Sequence, residues 1–257
     1  GDLFFEPAGL DRTRVERLVD NTLSSADDGE LFLEYRLSEA LAFDDGRLKT
    51  ATYDTQQGFG LRCVAGEATG YAHSSDMSEA SLQRASDAVQ AVKRGYGGTL
   101  ADGPIRTNKQ LYGDENPLGG QSFEEKVKLL QEIDAYARAK DPRVRQVTAS
   151  LAGEWQAVEI IRPGGEIVRD VRPLVRVNVS VVVGDGDRQE SGSHGVGGRQ
   201  GYEAWIRPDA WRGQVDEALR QALVNLDSVP APAGEMTNRD DHPSKRKSIE
   251  GQSADKI

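Results

Sequence analysis

From Val175 to Val183 every second residue is valine, with Arg176, Asn178 and Ser180 in between. No other feature constrains the fold as strongly. A period of two puts alternate side chains on opposite faces, so the segment reads as a strand with one buried and one wet face. Gly184-Asp185-Gly186-Asp187 follows as a hairpin turn. The same logic applies near the start, where Leu31, Leu33, Tyr35 and Leu37 alternate with Phe32, Glu34 and Arg36. Asp44-Asp45-Gly46 is a turn signal, and a strand is expected from Arg47 to about Tyr53. Residues 58–64 and 68–73 read as a hairpin around Ala65-Gly66-Glu67. Further strands are expected near 143–152, 154–161 and 165–172, the last two joined by Pro163-Gly164-Gly165.

Helices flank these runs. Asp11 is a plausible N-cap for a helix to about Leu23, with Val15, Leu18, Val19 and Leu23 on one face. A second helix starts near Asp76 or Ser78 and aligns Leu82, Ala85, Val89 and Val92. Ser122 and Glu125 form a capping box before a helix that turns Val127, Leu130, Ile133 and Ala137 inward. A last helix from about Asp209 buries Val215, Leu219, Ala222, Leu223 and Leu226. The order helix, strands, helix occurs twice. We therefore expect an α+β fold of two similar helix–antiparallel-sheet–helix units. The first unit spans 1–94 and the second 122–237, with a glycine-rich linker or long loop at 95–121. Residues 238–257 lack periodicity and strongly apolar content, and read as a disordered tail.

Composition narrows the functions. A formal net charge of −10 over 257 residues disfavours a phosphate backbone as partner. The one compact basic cluster, Lys245-Arg246-Lys247, falls in the tail, so direct nucleic-acid binding is not expected. There is no apolar run of membrane-spanning length and no signal peptide at the start. A single cysteine, Cys63, excludes an intrachain disulfide and suits the cytoplasm.

Candidate chemistry is sparse. His73, His194 and His242 include no pair at i, i+4, so no metal site is expected within the chain. Cys63 alternates with Leu61 and Phe59 and reads as a buried, inert thiol. Asp44, Asp45, Asp185 and Asp187 sit in ordinary turn contexts. The glycine-rich stretch 192–201 is neither a P-loop nor a dinucleotide fingerprint. Either it is a flexible loop, or it is a strand whose bare backbone admits another backbone.

Several segments in order resemble the TldD branch of the TldD/PmbA family, also called modulators of DNA gyrase. They are Asp45 to Lys49, Gln57 to Ala72, Val147 to Leu151, Asp170 to Val177, Gly197-Gly198-Arg199-Gln200-Gly201-Tyr202-Glu203, and Ala222 to Leu226 with Ala231 to Met236. The resemblance covers residues 3 to about 237. It implies a cytosolic peptidase that cleaves unfolded peptides, assembled from a TldD subunit with a TldE/PmbA-like subunit or as a homo-dimer. It also implies zinc in the full-length family, bound by His-Glu-x-x-x-His on a helix and a distant cysteine. That motif is not in this sequence, Cys63 does not correspond to the cysteine, and no catalytic residue is carried over. The change of composition at Asn238 reads as truncation before the metal motif, against a natural short paralogue with its own tail. The expected role is thus the substrate-channel part of a metallopeptidase, inactive alone. The alternatives are a non-catalytic peptide-binding or assembly module, or a protein-level regulator of DNA gyrase. The substrate residues expected under the leading reading are Gly195, Gly197, Gly198, Arg199 and Gly201, on an extended edge from about Ser191 to Tyr202 that pairs with a peptide backbone.

Overall fold

The computed structural model describes residues 2–102 and 111–230. The tail expected at 238–257 and the middle of the 95–121 stretch lie outside them. Asp11 accepts from the Arg14 amide and opens α1 (Arg12–Leu23). Three strands follow: β1 (Asp28–Asp44), β2 (Arg47–Ala65) and β3 (Ala68–Ser74). Ser78 caps α2 (Glu79–Gln90). The second set is α3 (Phe123–Lys140), β4 (Val144–Arg162), β5 (Glu166–Asp185), β6 (Arg188–Gly198) and α4 (Pro208–Asp227). The capping box of α3 is formed, with the Ser122 amide donating to Glu125 at 2.7 Å and the Glu125 amide to Ser122 Oγ at 3.2 Å.

All six strands join in one antiparallel sheet of order β3-β2-β1-β4-β5-β6. The fold is therefore α+β, and its two strand sets meet through β1 and β4, with Leu31 opposite Ile161 and Asp44 opposite Thr148. Buried residues along the long strands are mostly odd-numbered, which assigns one face of the sheet to the helices. Two cores lie along that face. One gathers Val15, Val19 and Leu23 of α1 and Leu82 and Val89 of α2 over Leu31, Leu33, Phe59 and Leu61, and takes in Ala157 and Ile161 of β4. The other gathers Leu130 and Ile133 of α3 and Val215 and Ala222 of α4 over Val147 to Leu151 and the alternating valines of β5, and takes in Leu41 and Phe43 of β1. Each central strand thus belongs to both cores. Among the described residues the even-numbered face of these strands carries no helix and is largely polar.

The strands are longer than their sequence suggests. Residues 47–53 and 58–64 are parts of one strand, as are 144–152 with 154–161 and 166–172 with 175–183. The apparent breaks have separate causes. Pro173 lacks an N–H, but β6 stops at Gly198 opposite Val175, so Pro173 lies where β5 is itself an edge. Gly153 on β4 leaves the space that Leu118 and Tyr202 fill; a Cβ there would lie 2.5 Å from Leu118 Cδ2 and 2.6 Å from the Tyr202 hydroxyl. Residues 47–57 of β2 are exposed on both faces and are held by their ladder with β1. Asp45 and Gly46 close that hairpin with φ of 47° and 79°, as a two-residue turn with both φ positive requires.

A buried ion pair sits between the cores. Lys126 Nζ on α3 donates to Glu39 Oε1 on β1 at 2.7 Å and to the Leu118 carbonyl at 2.7 Å, with both charged side chains under a tenth exposed. The cation also lies 5.4 Å from the Tyr202 ring centre. Burial, and then the Glu39 charge beside it, pushes the Tyr202 phenol well above its usual range. The cluster fastens the short turn at Pro117–Gly119 and the one at Tyr202–Ala204 to the middle of the sheet.

Candidate substrate site on the outer strand

The glycine-rich stretch is a strand. β6 runs to Gly198 and is the last in the sheet, so one of its edges has no strand neighbour among the described residues. Its other edge pairs with β5, placing Gly195 opposite Asn178, Gly197 opposite Arg176 and Gly198 opposite Val175. Arg199 and Gly201 lie beyond it. Arg199 stands over the Tyr112 ring at 5.4 Å, and Gly201 precedes the turn that buries Tyr202. The extended edge thus ends at Gly198, short of Tyr202.

The glycines of β6 meet different neighbours. A Cβ on Gly192 would lie 2.1 Å from the Ala218 carbonyl oxygen, so its bareness lets α4 sit close on the sheet. A Cβ on Gly197 would lie 2.2 Å from the Val175 carbonyl oxygen, so this glycine already serves the pairing with β5. Replacing it by valine would disturb the sheet itself. A Cβ on Gly195 would lie 2.2 Å from Asn178 Oδ1 and 3.2 Å from Arg176 Nη2, because those side chains lie across β6 there. Gly198 has only ordinary contacts at 3.7 Å or more. Near its start the strand is covered, since Asn225 Nδ2 donates to the Ser191 carbonyl at 2.9 Å.

Beside the glycines, the helix-free face has a depression of about 460 Å³ lined by Thr148, Ser150, Arg176, Asn178, Ser180 and Ser193. Arg176 Nε donates to Asn178 Oδ1 at 2.7 Å. The sequence shows Arg176, Asn178 and Ser180 only as an outward polar alternation. Their closeness to Gly195 comes from the β5–β6 register, which no local pattern carries.

The remaining candidates are apart from one another. Cys63 is buried in the first core, and burial pushes its thiol up. His73 lies on β3 beside Tyr71, with ring centres 5.8 Å apart. His194 contacts Gln214 of α4 on the helix side of β6. His242 lies outside the described residues. The described residues contain no group of three or more His, Cys, Asp or Glu side chains able to hold a metal ion. Asp44 accepts from Gln146 and Thr148, in that order the main reasons its carboxyl stays below the usual range, while Asp45 pairs with Arg138. These are structural uses of turn residues. No helix among the described residues is long and apolar enough to cross a membrane.

Residues 29–94 match the model of PmbA/TldA metallopeptidase domain 1, and residues 116–226 match that of the PmbA/TldA metallopeptidase central domain. A protein described as a metalloprotease TldD homolog from Haemophilus influenzae is 36% identical over 220 residues, covering 82% of this chain and 45% of the relative. A counterpart from Buchnera aphidicola is 31% identical over 224 residues, with 84% and 46% covered. The chain therefore spans a little under half the length of these curated relatives. Among solved structures, a Bacteroides thetaiotaomicron protein described as a modulator of DNA gyrase superposes with a TM-score of 0.67 at 11% identity, covering 85% of this chain and 50% of the other. TldE from Thermococcus kodakarensis gives 0.62 at 14% identity, with 82% and 47% covered. At such identities the structural likeness speaks for the fold. The sequence matches speak for the family, and the chain belongs to the PmbA/TldD family, with residues 29–94 in its first domain and 116–226 in its central domain.

Proposed function

We propose that this chain is the peptide-holding part of a TldD-like metallopeptidase, with the outer edge of β6 as the substrate strand. The observation that carries the reading is the glycine-rich strand at the end of the sheet, which offers backbone groups with few side chains to hold a second backbone away. Main-chain pairing tolerates any sequence, and a folded protein has few free backbone groups to offer. Preference for unfolded peptides then follows from geometry. A resident zinc ion does not fit the described residues. Cys63 is sealed in apolar packing, and His73 and His194 are on strands at opposite ends of the sheet order. No hydrolytic step is assigned to this chain. In this reading it works in the cytoplasm beside a TldE/PmbA-like subunit or a second copy, and residues elsewhere supply the metal chemistry.

Hydrogen exchange tests the edge. Adding an unstructured peptide should slow exchange of β6 amides between Gly192 and Gly198 and leave β3 amides unchanged. A folded protein of similar size should have no effect. Unchanged exchange throughout β6 at saturating peptide would overturn the proposal.

A further inference from the structure

The depression beside β6 deepens the reading just given and rests on it. Arginines on the helix-free face are generally answered by acids. Arg36 meets Glu34 and Glu154, Arg62 meets Asp28 and Glu30, and Arg172 meets Asp170. Arg176 differs. It is exposed, and its one polar side-chain partner among the described residues is neutral Asn178. That bond engages Nε and leaves the end-on pair of Nη groups, the geometry that holds a carboxylate by two parallel hydrogen bonds. The side chain reaches over Gly195, where a Cβ would crowd it, and so extends from β5 toward the outer edge of β6. A strand added to that edge would lie about 4.8 Å further out, within reach of a carboxylate on its near face. Ser150, Ser180 and Ser193 supply hydroxyl donors around the same space, while Thr148 at its rim already donates to Asp44.

The geometry points to a carboxylate-binding subsite: Arg176, oriented by Asn178 and admitted by Gly195, holds a carboxylate of a peptide laid along β6. The carboxylate comes either from the carboxy terminus of the peptide or from an acidic side chain. Both present the same group, and the site would make the chain favour acidic or carboxy-terminal segments over neutral internal ones.

Three labelled unstructured peptides of one length separate these cases by fluorescence anisotropy. One is neutral and amidated, one neutral with a free carboxy terminus, and one amidated with a single glutamate. At least one carboxylate peptide should bind roughly 10-fold more tightly than the neutral amide, as expected for a charge-assisted pair. That advantage should shrink with added salt. Arg176→Gln should abolish it, and Arg176→Lys should retain part of it. Gly195→Ala should reduce it too, by displacing the Arg176–Asn178 pair. Circular dichroism melts identify any variant that fails to fold. An advantage for the free terminus alone identifies a carboxy-terminal pocket, and one for glutamate alone an acidic-residue pocket. Equal binding of all three, with β6 amides still protected, overturns the subsite and leaves the edge reading intact. If no peptide binds, titration with acetate read at the Arg176 Nε resonance decides. A saturable shift lost on Asn178→Ala supports the subsite without the edge, and no shift overturns both.

Discussion

The two strand sets of this sheet share one element order and finish their outer edges in opposite ways. On the first, β3 has 7 residues, and the Tyr71 side chain lies over bare Gly60, where a Cβ would come within 2.6 Å of its hydroxyl. On the second, β6 has 11 residues, and the side chain lying over a bare glycine is Arg176. A ring against a glycine is packing. A guanidinium with a neutral partner is an unanswered charge. The same backbone device thus lets an edge-strand ring lean inward over β2 in one set and an inner-strand arginine reach outward over β6 in the other.

The largest expected difference lies between two buried charge clusters, each of which ties one strand set to the other. Between the cores Lys126 of α3 is the ion-pair partner of Glu39 of β1, and Lys126→Ala strands a carboxylate beside Tyr202. We expect a loss of about 3–5 kcal/mol in urea unfolding. Beside the first core Glu159 of β4 is held by both Arg12 of α1 and Arg169 of β5, so Arg12→Ala leaves one partner in place and should cost less. Equal losses would break the comparison.

A smaller effect separates glycines within β6. Gly192→Ala drives a methyl into the backbone of α4 and should cost about 1–3 kcal/mol. Gly198→Ala meets no close neighbour and should stay within roughly 0.5 kcal/mol. Thermal melts of the two proteins rank them. A Gly198 variant as damaged as the Gly192 variant would mean that the end of β6 is more tightly enclosed than its surroundings indicate.

The smallest expected effect is one of pH. Burial opposes the Asp28 charge, but hydrogen bonding from Arg62 and the charges of Arg62 and Arg162 outweigh it and hold the carboxyl below its usual range. A depressed carboxylate stabilises the fold above its unfolded pKa, and the contribution is lost as pH falls through the folded value. Asp28→Asn should therefore flatten the acid side of the stability profile and leave the slope above neutrality unchanged. Unfolding midpoints measured between about pH 7 and pH 2 test this, that interval reaching from above the ordinary carboxylate range to below it. An acid limb identical to that of the parent would remove Asp28 from the account.

Much of the local structure was legible in advance. The caps at Asp11 and Ser122, the turn at Asp45-Gly46, the alternating valines of β5 and the buried Cys63 all stand where their patterns put them, and of the two starts open for the second helix the cap is Ser78. The glycines at 195, 197 and 198 were legible as either a loop or a strand, and they lie in β6, the last strand of the sheet among the described residues. The Arg176 depression was not legible. An outward arginine on a strand looks the same whether it faces bulk water or leans over a neighbouring glycine.

Sequence alone determined where the helices lie, most of the strand segments, the inward face of the clearest strands and several of the turns. Those properties arise between residues a few positions apart, through periodicity, capping and allowed backbone angles. Tertiary structure decided that β2, β4 and β5 run unbroken past Gly58, Gly153 and Pro173, that β1 and β4 fuse two strand sets into one sheet, and that Arg176 lies across Gly195. A period of two specifies the face of a side chain but neither the partner strand nor where along it pairing begins. Only the complete packing of both cores selects those, and the candidate site depends on them.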